Sequence, residues 1–258
     1  MAIAFVGDIH GQMNLQDYFD LENKISRLFE EPQDLDVDLA KLNEFSRELI
    51  STARENRYVV HSAYGKNPRV FVFGYYHVSG FPDQYTELAR IFESHMRSPD
   101  ILLLEGEDPC GVDYDDKGIT NPLILKLKEV FKKRDIRTLF NDNTDLKNRA
   151  KLSTSVLEKF KNENPGYVNE PGFLELASEY VAAWRNRDNH FCENKLTGIV
   201  PFIDGTTKNY KPPSQDANFF QAFGAAHVYA DIVGQCLRSN DVAHMMFVPK
   251  ERFDAGNG

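Results

Sequence analysis

Two segments of this 258-residue chain repeat one pattern, an apolar run closed by Phe-Gly-x-x-His-Val. The first is Val70-Phe71-Val72-Phe73-Gly74-Tyr75-Tyr76-His77-Val78. The second is Phe219-Phe220-Gln221-Ala222-Phe223-Gly224-Ala225-Ala226-His227-Val228. Both runs have strand composition, each precedes a helix-like stretch, and each helix leads to another short apolar run. The unit strand–GxxH–helix–strand thus occurs twice, which points to an internal repeat. Ile101-Leu102-Leu103-Leu104 is apolar without alternation, the mark of a strand covered on both faces. Together these features predict an α/β fold, with a central, largely parallel sheet flanked by helices.

Periodicity fills in the rest. Apolar stripes predict helices over 36–54, 84–96, 153–161, 171–196 and 229–238, and another opens at Asn121-Pro122 by cap and first-turn chemistry. Strands are expected at 2–6, 58–60, 69–73, 101–104, 136–140, 219–223 and 245–248. No linker rich in Pro, Gly or Ser divides the chain, so residues 1–258 read as a single α/β domain.

A net charge of −9 speaks against nucleic acid as a partner, because a phosphate backbone selects basic surfaces. The basic concentration from Lys126 to Arg137 reads as a solvated helix face. Cys110, Cys192 and Cys236 are odd in number and widely spaced, so they are expected as reduced thiols rather than a disulfide or zinc framework. Met1 to Asp8 lacks the basic and apolar regions of an export signal, and no apolar stretch is long enough to cross a bilayer. A cytoplasmic protein without membrane insertion follows as the expectation, with delivery into a host cell without a cleavable signal as the alternative.

The residues able to carry chemistry gather at predicted strand ends, where α/β proteins place their sites. His77 and His227 each follow a strand-end glycine by three residues. Glu105 closes the buried run 101–104, and pairing of sequential strands would set it beside the strand of His77. In the helix over 171–196 the stripe Phe173, Ala177, Tyr180, Trp184 is interrupted by Arg187 and Asp188 before Phe191 resumes it. At least one of those charges therefore points inward and needs a partner, with Glu105 as a candidate. His77, Glu105 and His227 form a two-histidine, one-carboxylate set. That set suits a divalent metal such as Mn, Co or Zn, and equally a metal-free arrangement of general base, general acid and orienting carboxylate.

The ordered series FGYYHVSG, LLLEGED, RDNHFCENKL and FGAAHV resembles the erythromycin esterase/ChaN-like superfamily, which includes the TraB/PrgY and Tiki proteins. The resemblance covers about residues 69–248 and leaves 1–68 as an N-terminal extension. It implies that His77, Glu105, Arg187 and His227 form one site, acting on a small-molecule or peptide substrate through ester or amide hydrolysis. It also implies two alternatives: a haem- or metal-binding module of the ChaN kind, or an effector or toxin domain acting in a host cell. A second motif, Gly7-Asp8-Ile9-His10-Gly11, is similar to the opening of calcineurin-like phosphoesterases, but the remaining ligand segments of that family are missing. Asp8 and His10 are therefore a remote alternative. Nucleophile-elbow, Walker, HExxH and dinucleotide motifs are all absent from the sequence.

Overall fold

The computed structural model describes residues 15–76, 82–105, 136–140, 143–197 and 217–251. The strands are β1 (Tyr58–Tyr64), β2 (Val70–Tyr75), β3 (Ile101–Leu104), β4 (Arg137–Phe140), β5 (Phe219–Gly224) and β6 (His244–Pro249). They form one six-stranded sheet in the order β1-β6-β2-β5-β3-β4. Every neighbouring pair is parallel except β1 with β6, so the sheet is largely parallel as expected.

One adjacency differs from expectation. β3 does not lie beside β2, because β5 enters between them: Val72 faces Gln221, and Leu103 faces Gln221 from the other side. The two Phe-Gly runs are therefore next to each other, with Gly74 opposite Phe223 and Tyr75 opposite Gly224. A strand supplied from far along the chain takes the centre, a placement that sequence order does not encode.

The helices are α1 (Leu15–Ser26), α2 (Glu44–Glu55), α3 (Pro82–His95), α4 (Thr144–Glu163), α5 (Phe173–Thr197), α6 (Ala225–Ala230) and α7 (Ile232–Ser239). On one face of the sheet, Phe71, Phe73, Leu104 and Phe220 pack against Leu49 and Ile50 of α2 and Leu88 and Phe92 of α3. On the other, Val72, Phe223, Met246 and Val248 pack against Phe191 of α5, Val228 of α6, and Val233 and Leu237 of α7. Side chains of a strand alternate in direction, so these continuously apolar strands serve both layers. α1 adds an outer layer, its Tyr18 and Leu21 clustering with Leu157 of α4 and Phe173 and Ala177 of α5. Residues 15–64 thus supply two helices and an edge strand to the architecture.

Several boundaries move for local reasons. The helix expected from residue 36 begins at Glu44, because the Asn43 side chain accepts from the Ser46 N–H at 2.8 Å and caps it there. Leu39–Lys41 forms a separate 3-10 turn. The short helix expected at 153–161 extends over Thr144–Glu163, opened by Asn143, which accepts from the N–H groups of Asp145 and Leu146. The helix expected over 229–238 is two helices, broken at Asp231, whose φ of 57° is left-handed. The expected strand at 2–6 and the helix after Pro122 lie outside the described residues.

The expectation of reduced cysteines is overturned for two of the three. Cys192 on α5 and Cys236 on α7 form a disulfide across a Cα separation of 6.2 Å. Spacing rules could not find it, because the pair is brought together by packing of two helices 44 residues apart in sequence. Cys110 lies outside the described residues. Among the described residues, no helix is long and apolar enough to cross a membrane.

Closing a loop of this length restricts the unfolded chain, a contribution of about 2–4 kcal/mol. The variant C236S should lose about that much stability in urea unfolding, and reductant should lower the wild type to the same midpoint. Identical midpoints for oxidised and reduced wild type would show that the bridge contributes nothing.

Candidate active site

Glu105 follows the last residue of β3 and extends the parallel ladder, its N–H donating to the Ala222 carbonyl at 3.0 Å. Its side chain turns toward β5, where the Gly224 N–H donates to Oε2 at 2.6 Å. Gly224 caps α6, so the turn that anchors Glu105 also launches the helix carrying His227. Gly74 explains why that helix can lie so close. A Cβ there would stand 2.9 Å from Ala225 Cα and 3.0 Å from Val228 Cγ2. This glycine serves close approach of a helix to the sheet.

α5 brings the remaining members. Both residues that interrupt its stripe turn inward. Asp188 is fully buried, and Arg187 leaves only 12 % of its side chain exposed. Arg187 Nη2 donates to Glu105 Oε1 at 2.7 Å, and Nη1 lies 3.1 Å from His227 Nε2. Asp188 Oδ1 lies 2.6 Å from His227 Nδ1. A guanidinium can only donate, so in the neutral imidazole Nε2 is the acceptor and Nδ1 carries the proton given to Asp188. The direct approach of Glu105 Oε1 to His227 Nε2 is 3.8 Å.

Aromatic rings enclose the imidazole. Trp184, Phe223 and Phe191 have ring centroids 5.0, 5.3 and 5.8 Å from it. This burial disfavours the charged form, yet the pKa of His227 is raised above its ordinary value. The Asp188 carboxylate, through charge and hydrogen bond, and the Glu105 carboxylate together outweigh burial and the opposing Arg187.

Among the described residues, two buried polar atoms nearby have no hydrogen-bond partner, the Trp184 Nε1 and the Asp188 Oδ2. They sit one helical turn apart on α5, a donor and an acceptor flanking the imidazole.

Of the four residues singled out from sequence, Glu105, Arg187 and His227 converge. His77 lies outside the described residues, as do Asp8 and His10. β2, which leads to His77, ends at Tyr75 beside Gly224. Asp188 is the member whose role the sequence leaves undecided: the apolar stripe shows it as one of two charges, and the structure makes it the partner of Nδ1. The Gly224 amide had no sequence signal beyond being glycine.

A metal fits the described residues poorly. Both nitrogens of His227 are engaged, and the Arg187 cation stands against Nε2, where a ligand bond would have to form. Among the described residues, no group of three or more His, Cys, Asp or Glu is arranged to hold an ion.

Comparison with protein-family models, curated proteins and solved structures finds no match to this chain. The functional reading therefore rests on the motif residues and on this geometry.

Asp188→Asn tests the electrostatics without a substrate. The His227 titration followed by NMR should have its midpoint above ~6.5 in the wild type and fall in D188N. A raised folded pKa stabilises the fold fully below the unfolded value and loses that contribution as pH rises through the folded one. The acid-side stability gain should accordingly shrink in D188N. An unchanged midpoint would remove Asp188 from the site.

Proposed function

We propose that this protein is a hydrolase of the erythromycin esterase/Tiki type, cleaving an ester or amide of a small molecule or peptide without a metal. The observation that carries the reading is a histidine held from both sides, by Asp188 on Nδ1 and by Arg187 on Nε2, with Arg187 anchored on Glu105.

Each group has a role that suits its chemistry. A water attacks the substrate carbonyl, and His227 Nε2 takes its proton. Arg187 Nη1 leaves Nε2 for the carbonyl oxygen as negative charge develops there. Asp188 and Glu105 stabilise the imidazolium so formed, consistent with the raised pKa. The imidazolium then returns its proton to the departing alcohol or amine, and a carboxylic acid is left. Glu105 is a positioning residue, fixing the guanidinium while held by the Gly224 amide. His77 is assigned to the same site by its motif as a second acid or base.

The test is hydrolysis of p-nitrophenyl esters and of a peptide library by wild type and variants. His227→Ala should lower kcat/KM by about 10²–10⁴-fold. Arg187→Lys keeps the charge but loses the fork that spans Glu105 and His227, and should lose most of the activity with little change in folding. Full activity of both variants would overturn the reading. No turnover by wild type, together with haem absorbance or bound metal in the purified protein, would replace it with the binding-module alternative.

A further inference from the structure

Two links join the helix that carries Arg187 and Asp188 to the segment that carries His227. One is the contact of Asp188 Oδ1 with His227 Nδ1 at 2.6 Å. The other is the Cys192–Cys236 disulfide, which ties α5 to α7. The links lie close together on both arms. Cys192 is one helical turn beyond Asp188, on the same side of α5. Cys236 lies on α7, which follows α6 directly.

The turn of α5 between the two links belongs to the site. Phe191, the residue before Cys192, has its ring 5.8 Å from the imidazole and 5.4 Å from Phe223. The Arg187 guanidinium lies 5.8 Å from the Phe191 ring centre. On the other arm, α6 has only six residues, too few for a stable helix on its own, so its position depends on what flanks it. α7 joins it at Asp231, whose carboxylate is paired with Arg238 near the far end of α7. Val233 and Leu237 of α7 share one apolar cluster with Phe191, Cys192 and Val228. A shift of α7 against α5 is therefore a shift of His227 against Asp188.

The two sulfurs differ in access. Cys192 is fully buried. Cys236 is only partly buried, at the margin of the cluster, and the exposed Asn240 amide lies 3.9 Å from its Sγ. An accessible disulfide sulfur is open to attack by a thiolate, whereas an enclosed one is shielded.

We propose that the Cys192–Cys236 bridge is a redox switch for this site: closed, it holds Asp188 against His227; opened by a dithiol reductant, it lets α7 draw away from α5 and weakens that contact. A thiolate of the reductant attacks Cys236 Sγ, the S–S bond breaks, and Cys192 leaves as a thiolate that takes a proton from solvent. The second thiolate of the reductant attacks the mixed disulfide and releases Cys236, which is protonated in turn. Two electrons and two protons have then passed to the protein, and the reductant ends as its own disulfide. As control of hydrolysis the inference rests on the reading above; as control of the Asp188–His227 contact it stands on the geometry alone.

The test compares oxidised protein, protein treated with dithiothreitol, and the double variant Cys192→Ala with Cys236→Ala, all without denaturant. Alkylation and mass spectrometry should show Cys192 and Cys236 labelled after dithiothreitol, while the far-ultraviolet circular dichroism stays that of the folded chain. The His227 midpoint followed by NMR should fall toward ~6.5 on reduction. The double variant should match the reduced protein and be indifferent to dithiothreitol. Ester hydrolysis should drop about fivefold or more on reduction and return on reoxidation. A bridge that stays closed in the folded protein, or a fold that is lost with it, would make the disulfide a structural staple and overturn the proposal. So would an unchanged His227 midpoint in the reduced protein, or hydrolysis equal in the two redox states. If the oxidised protein hydrolyses nothing, the hydrolytic reading falls instead, and the NMR comparison still decides the switch.

Discussion

A carboxylate with no exposed surface sits in the apolar heart of this protein, and the site is built around the need to accommodate it. Asp188 occupies a core position on α5, facing an imidazole that Trp184, Phe191 and Phe223 enclose. An unpaired charge there would cost several kcal/mol. His227 meets it with the proton on Nδ1, which fixes the imidazole's tautomer and orientation. Arg187, the residue before Asp188 on the same helix, pairs with Glu105 and meets the imidazole at Nε2. Remove Asp188 and the imidazole loses the reason for facing as it does.

That arrangement depends on close packing elsewhere. α6 can reach the sheet only because Gly74 on the adjacent strand presents no side chain to it. Glu105 can reach the start of α6 only because β5 lies next to β3. The strand order is thus the condition for the site: with β3 beside β2, the carboxylate would be a strand further from Gly224 and His227. The glycines of the two repeated runs do different work. Gly74 makes room, and Gly224 supplies an amide to a carboxylate.

Most of the strands and the apolar stripes were legible in the sequence, because burial on both faces leaves continuous apolar runs and a helix packed on a sheet leaves a 3.6-residue rhythm. The convergence of Glu105, Arg187 and His227 was legible in part, since each stands where a strand or stripe ends in an ionisable residue. What sequence did not carry was long-range: the insertion of β5 between β2 and β3, and the meeting of Cys192 with Cys236. Local rules also missed the break at Asp231, where a non-glycine residue adopts a left-handed conformation. The role of Asp188 fell between these cases. An acid in an apolar stripe declares that it needs a partner, but not which one.

The Cys192–Cys236 bridge has a topological consequence. The bridge and the intervening chain close a covalent ring that contains β5, Gly224 and His227, and the ring is sealed four residues beyond Asp188 on the same helix. A single cut of the chain anywhere between the two cysteines therefore divides the polypeptide without dividing the molecule. Where the cut falls before His227, the fragment with the imidazole stays tethered to the fragment with Arg187 and Asp188 until the sulfurs are reduced.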